Sequence, residues 1–144
     1  MNLRMPDNLK VAYFAELEQY HKSMRQERFT EAWRFLERAH VIAQYHPVPH
    51  TGIHFRMMIF ALRMFDARET LGQLLRLSVG WFGSLMNRIP VGNTGGVNVP
   101  ILASLPIPAD LSELLSAADT ETRGLAGLRK SEAPEKLGDD ATCC

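Results

Sequence analysis

The sequence predicts an all-α fold: a small antiparallel bundle of about four helices, strapped by an extended Gly/Pro-rich segment and followed by a disordered C-terminal tail. Three observations carry that expectation. Apolar residues recur three and four positions apart in four successive segments, the period of a helix with one buried face. The connections between those segments are short, which makes consecutive helices antiparallel neighbours. The composition changes after Ile89 and again after Ala118, giving a helical domain with its strap over residues 1–118 and a charged tail over 119–144.

The first helix is expected from about Pro6 to Glu27, with Leu9, Ala12, Tyr13, Leu17 and Tyr20 on one face and Pro6-Asp7 as a start signal. The second runs from about Thr30 to Tyr45. Thr30 is read as its N-cap, Glu31 suits the positive end of the dipole, and Ala32, Trp33, Leu36, Ala39, His40 and Ala43 form the inner stripe. In size and Trp/Ala/Leu spacing this first helix pair looks like a single tetratricopeptide-type hairpin; one hairpin is not an array. Pro47 and Pro49 are expected to stop the second helix. A third helix follows from about His50 to Phe65, burying His54, Met57, Met58, Ala61, Leu62 and Phe65. A fourth begins at Asp66 or the next residue and reaches about Asn87, with Leu71, Leu74, Leu75, Ser78, Trp81, Phe82 and Leu85 inward.

The strap begins at Pro90-Val-Gly-Asn-Thr-Gly-Gly, whose Gly, Asn and Pro content marks a loop, and continues through Pro106 and Pro108. It lacks the Lys-Ser/Thr ending of a P-loop and the spacing of a dinucleotide loop, so Asn93 and Thr94 are assigned to satisfying buried backbone groups. A short helix over Asp110–Ala118 is expected to dock through Leu111, Leu114 and Leu115. From Asp119 onward six acidic and four basic residues outweigh the apolar ones, the composition of a disordered tail.

Charge and cysteine usage narrow the function. Of the 144 residues, 16 are Lys or Arg and 16 Asp or Glu, a formal net charge of zero. A dedicated nucleic-acid binder usually carries a basic excess, so nucleic acid is not expected as a partner. The most apolar stretch, Leu71–Ile89, is interrupted by Gln73, Arg76, Asn87 and Arg88, so no membrane span is expected. The N-terminus has no apolar core of a secretory signal, and a cytoplasmic location is the expectation. The two cysteines are adjacent, at positions 143 and 144, which excludes a disulfide framework. No G-x-S-x-G context surrounds any serine and no catalytic set assembles, so an enzyme is not the expected class.

Four motifs taken together carry a resemblance. Glu31-Ala-Trp-Arg-Phe-Leu-Glu-Arg-Ala-His40, His50-x-x-x-His54, Leu71-Gly-Gln-Leu-Leu-Arg76 and Pro90-Val-Gly-Asn-Thr-Gly95 resemble the pattern of a small bacterial family, the domain of unknown function numbered 3703, over roughly residues 10–115. The resemblance implies a small helical protein and a link to metal-resistance gene neighbourhoods, mercury and copper among them. It implies no activity. His21 and Cys143-Cys144 fall outside the family's pattern.

All five histidines lie between residues 21 and 54. About a turn near Pro47, His40 on the second helix and His54 on the third are at similar depth, and residues four apart share a helix face. Gln44, His40 and Glu37 can therefore oppose His50, His54 and Met57. His40, His50 and His54 with Glu37 form a candidate N/O ligand set for a first-row divalent ion such as zinc. Glu18-x-x-His21 and Glu37-x-x-His40 also match half of a di-metal carboxylate pattern, whose further carboxylates would have to be Glu69 and Asp66, or Glu16 and Glu31, none obviously on an inner face. The competing reading is a structural cluster of His40, Gln44, His50 and His54 that bonds backbone carbonyls near the helix ends. Cys143 and Cys144, neighbouring thiols on a tether, are a second candidate site, for a soft ion such as Hg(II) or Cu(I). Two function classes follow: a metal-binding accessory of heavy-metal resistance or homeostasis, or a non-enzymatic helical module that docks on a protein partner.

Overall fold

The computed structural model describes the backbone of residues 5–85, 92–100 and 104–131, and side chains over 5–78, 92–100 and 104–121. Five helices follow one another: α1 (Asp7–Arg25), α2 (Phe29–Ala43), α3 (Pro47–Arg63), α4 (Ala67–Leu85) and α5 (Ala109–Ser131). Among the described residues there is no strand. No described helix is long and apolar enough to cross a membrane.

Helix α1 packs along α2, α3 along α4, and α2 against α3, while α5 touches α1 and α2. The antiparallel sense of the first pair shows in one ion pair. Arg38 Nε meets Glu16 Oε1 at 2.8 Å, and these residues stand eleven positions either side of Glu27. The same guanidinium holds Asp110 at the start of α5. The core sits between these layers. Leu9, Tyr13, Leu17 and Tyr20 supply the inner stripe of α1, and Leu36, Ile42, Ile53 and Met57 are fully enclosed. Leu111 and Ala118 bring α5 onto the same core, with Leu114 and Leu115 partly buried against it.

Two of the turns share one construction. Glu27 and Phe65 adopt φ of 57° and 55° just after α1 and α3. In each case the next amide reaches back five residues, Arg28 N to Ser23 O at 3.0 Å and Asp66 N to Ala61 O at 2.9 Å. This is the Schellman closure, which satisfies carbonyls the helix end leaves open. Asp66 then caps α4, its Oδ1 accepting the Glu69 amide at 2.9 Å.

Several expectations are corrected. Thr30 is not the N-cap of α2; the helix starts earlier, directly after Arg28. Pro47 and Pro49 do not merely end α2 but open α3, Pro47 as its first residue. A first-turn N–H has no intrahelical acceptor, so proline costs nothing there, and its fixed φ suits the helix. Leu62 and Phe65 are exposed rather than buried, because α3 ends there and Phe65 sits in the turn. Helix α5 runs past Ala118 to Ser131; residues 132–144, with both cysteines, lie outside the described residues.

The largest correction concerns α4, whose expected inner face is inverted. Leu71, Leu74 and Leu75 are 67%, 52% and 52% exposed, while Glu69, Gln73 and Arg76 are buried. The buried polar residues direct hydrogen bonds to the segment over 92–100 and to α3. Trp81, Phe82 and Leu85 lie where side chains are not described.

Candidate metal centre

The site is made by the α2–α3 turn. Three residues, 44–46, join the helices, and His46 precedes α3 in extended conformation (φ −121°, ψ 101°). That short connection places the last turn of α2 beside the first turns of α3. His40 projects from α2, and His50 and His54, four apart, share a face of α3. Their rings form a triangle with centroids 4.6–4.7 Å apart. His40 Nε2 lies 2.9 Å from His50 Nε2 and 3.1 Å from His54 Nε2. One ring nitrogen from each of the three falls within 4.8 Å of the others. His40 and His54 are buried and His50 is half-buried.

The outer nitrogens of two rings are occupied. His40 Nδ1 is 2.9 Å from the Asn93 carbonyl, which can only accept, so Nδ1 carries the proton. His54 Nδ1 is 2.7 Å from Gln73 Oε1. The Gln73 amide nitrogen donates to Glu69 Oε1 and to the Gly95 carbonyl, both at 2.7 Å. Those two acceptors fix the amide's orientation, leaving its oxygen to accept from His54 Nδ1–H. A neutral imidazole has one N–H. The Nε2 atoms of His40 and His54 are therefore both bare lone pairs, 3.1 Å apart, with no proton to share.

Electrostatics keep the rings neutral. Burial, reinforced by the neighbouring His54 and Arg76, pushes His50 down to about 3. Burial pushes His54 down to about 4, partly opposed by its bond to Gln73. His40 is held well below the ordinary range, by burial first and by His54 and His50 next. Neutral imidazole is the form that ligates a metal.

The segment over 92–100 closes the cluster from one side. Gly95, at φ +82°, lies so near that a Cβ there would stand 2.8–2.9 Å from three His40 ring atoms. Arg76 donates to the carbonyls of Gly96 (2.9 Å) and Val99 (2.7 Å), and Glu69 Oε2 accepts the Val97 amide at 2.9 Å. Asn93 ties the segment internally, donating to the Pro100 carbonyl and accepting the Gly95 amide, both at 2.9 Å. A groove of about 340 Å³, lined in part by Trp33, Phe60 and Asn98, shares Glu69 with this network.

Of the residues singled out in the sequence, the structure brings together His40, His50 and His54. Glu37 is not in that group. One turn before His40, its carboxyl bonds Thr94 and Trp33 side chains, and burial raises its pKa. Gln44 is fully buried, and its amide nitrogen and oxygen have no hydrogen-bond partner among the described residues. Glu18 and His21 are exposed on α1, and the His21 ring rests against Tyr20. Among the described residues no second metal-ligand group accompanies the three histidines. Gln73 and Arg76 were missed from sequence, and Glu69 was weighed only as a di-metal carboxylate, not as a partner of Gln73. Their signal was a polar stripe at spacings of four and three inside an apolar helix.

The motifs that build this site span the region matched by one family model, DUF3703, described as a protein of unknown function, over residues 7–115. The chain belongs to this family. No curated protein and no solved structure matches it. The matched region of DUF3703 here contains all three histidines, the α4 polar stripe and the segment that covers them.

Proposed function

We propose that the protein binds one first-row divalent metal ion, zinc or a close neighbour, through Nε2 of His40, His50 and His54. The supporting observation is the pair of bare Nε2 lone pairs on His40 and His54, converging with His50 on one point. Lone pairs at that distance repel, and a cation among them is the simplest way to satisfy them. With Zn–N bonds of about 2.0–2.1 Å, adjacent nitrogens stand about 3.3 Å apart in a tetrahedral site and about 2.9 Å apart in an octahedral one. The observed 2.9 and 3.1 Å about His40 are close to these values, and the three ligand atoms all lie within 4.8 Å of one another. Imidazole donors favour zinc, nickel and copper over magnesium or calcium. Both Nδ1 atoms already donate to fixed acceptors, the outer-shell arrangement that orients metal-bound histidines. Three protein ligands leave at least one position for water or another small ligand.

The test is elemental analysis of purified protein by inductively coupled plasma mass spectrometry, with zinc titration of protein stripped of metal. One equivalent per chain, lost in His54→Ala, is the expected result. Metal-free protein that neither takes up zinc nor gains thermal stability at saturating zinc overturns the proposal. Metal at a hundredfold its dissociation constant stabilises by about 2.7 kcal/mol, well within detection.

A second reading is a protein-docking module in which the histidines are purely structural. It is favoured by the apolar side chains exposed on α3 and α4, including Phe55, Leu71 and Leu75. A role in heavy-metal resistance, with Cys143 and Cys144 capturing Hg(II) or Cu(I), is a separate proposal resting on thiol chemistry and family resemblance. Glutathione-competition titration of a Cys143→Ser, Cys144→Ser protein decides it, undiminished affinity ruling the tail out.

A further inference from the structure

We propose that Gln73 is the positioning residue of the metal centre: it fixes the proton of His54 on Nδ1 and so presents the Nε2 lone pair inward. The inference rests on the metal-binding reading above for its purpose, and on the geometry of the chain for its content.

Gln73 is fully buried on the inner face of α4. A side-chain amide has two ends of opposite character, and in isolation either can turn toward an imidazole. Here the choice is made elsewhere. Glu69, one turn earlier on α4, offers Oε1 to the amide nitrogen, and the Gly95 carbonyl offers a second acceptor. Neither acceptor can be satisfied by the amide oxygen. Turning the amide over would place that oxygen against two acceptors, leave the Gly95 carbonyl without its donor and leave Glu69 Oε1 only the longer bond from the Val97 amide, 3.2 Å, which buried groups seldom tolerate. The orientation is therefore imposed by Glu69 and Gly95, and it passes to His54 as an obligatory acceptor 2.7 Å from Nδ1. His40 receives the same instruction from a backbone carbonyl, that of Asn93, which has no alternative orientation. His50 has no such fixed acceptor at Nδ1 among the described hydrogen bonds, which leaves its proton free to sit on Nε2 toward His40 until a metal displaces it. The cluster thus has two rings set as ligands in advance and one that adapts.

The Gln73 amide also holds the segment over 92–100 through Gly95, and that role must be separated from the first. Two variants make the separation. Gln73→Met removes the acceptor at His54 and the donor to Gly95. The double exchange Glu69→Gln, Gln73→Glu also removes the donor to Gly95. It restores an acceptor at His54, because the amide introduced at position 69 donates to the carboxylate introduced at position 73. The oxygen of that same amide can still accept from the Val97 N–H. If Gln73 only secures the covering segment, the exchange, which sets a carboxylate oxygen against the Gly95 carbonyl, is no better than Gln73→Met. If it positions His54, they differ.

Two readouts are taken. Long-range ¹H–¹⁵N correlation spectra of metal-free protein report which nitrogen of each histidine carries the proton. Competition titration reports zinc affinity. In the wild type, His54 and His40 are expected to be protonated on Nδ1. In Gln73→Met the His54 signal should shift toward the Nε2–H form while His40 is unchanged, and zinc affinity should fall about 10–100-fold, the usual loss for an outer-shell partner. The exchange should restore the Nδ1–H form of His54 and recover most of the affinity. The proposal is overturned by a wild-type His54 protonated on Nε2, by Gln73→Met with unchanged tautomer and affinity, or by an exchange variant as weak as Gln73→Met. Should Gln73→Met not fold, the tautomer in the exchange variant decides alone. A wild type that binds no zinc defeats the metal reading, while the metal-free spectra still decide the role of Gln73.

Discussion

Replacing Gly95 by alanine should both destabilise the fold and disable the site, and a neighbouring glycine supplies the control. Gly95 combines a left-handed φ of +82° with a Cβ position 2.8, 2.9 and 2.9 Å from Cδ2, Cγ and Nε2 of His40. Placing an L-residue in the left-handed region costs about 1–2 kcal/mol. The ring cannot yield freely, since His40 is buried and its Nδ1 is tied to Asn93 of the same segment. Overpacking against such a group adds about 1–3 kcal/mol. The combined destabilisation of Gly95→Ala is thus about 2–5 kcal/mol. At Gly96 the added Cβ would meet Trp33 Cζ2 at 3.4 Å and Glu37 Oε1 at 3.6 Å, ordinary contacts. Gly96→Ala should stay within about 1 kcal/mol of wild type. Urea unfolding followed by circular dichroism measures both, at unchanged m. Because a shift of about 0.5 Å is enough to spoil ligand geometry, Gly95→Ala should also weaken zinc uptake, and Gly96→Ala should not. Equal stability and equal zinc affinity in the two variants would falsify the placement of the segment against His40.

The three depressed histidines bind fewer protons folded than unfolded, so the metal-free protein should lose stability as pH falls from the ordinary 6.5 toward the folded values of about 4 for His54 and about 3 for His50. The slope should be up to about 1.4 kcal/mol per pH unit for each histidine, read from urea midpoints, and a flat profile between the ordinary value and that of His54 contradicts the buried cluster. Leu36→Ala, at a site with no exposure, should cost about 2–5 kcal/mol in the same assay, and a loss typical of a surface site would contradict its place in the core. Asp66→Ala, which removes the side-chain cap of α4, should cost about 1 kcal/mol; no loss would mean that the Asp66–Glu69 bond contributes nothing. Phe65→Gly should instead stabilise by up to about 1 kcal/mol. Phe65 is 95% exposed and holds φ at 55°, and a lowered thermal midpoint would contradict this reasoning.

The helices were legible from sequence because local periodicity and proline chemistry set them. Leu9, Tyr13, Leu17 and Tyr20, and then Ala32, Leu36, Ala39, His40 and Ala43, follow the helical period and are buried as that period requires. The convergence of His40 with His50 and His54 was likewise readable, since a three-residue connection leaves the flanking turns few ways to avoid each other. What the sequence alone did not determine is which face of α4 turns inward. Its leucines and its Glu69/Gln73/Arg76 stripe both repeat at helical spacing, and hydrophobicity favours the leucines. The tertiary structure decided for the polar stripe. His54 Nδ1, the Val97 amide and the carbonyls of Gly95, Gly96 and Val99 all need hydrogen-bond partners, and all find them on that stripe. The backbone groups among them lie 20 to 28 residues along the chain from their partners, and nothing in a local pattern announces such pairings. Glu37 stands apart from the three histidines for a related reason: sharing a helix face with His40 does not oblige it to share a ligand point, and its carboxyl bonds Thr94 and Trp33. Sequence periodicity limits which residues can face one another. The need to satisfy buried polar groups, which exists only once the segment over 92–100 is folded over α4, selects which of them do.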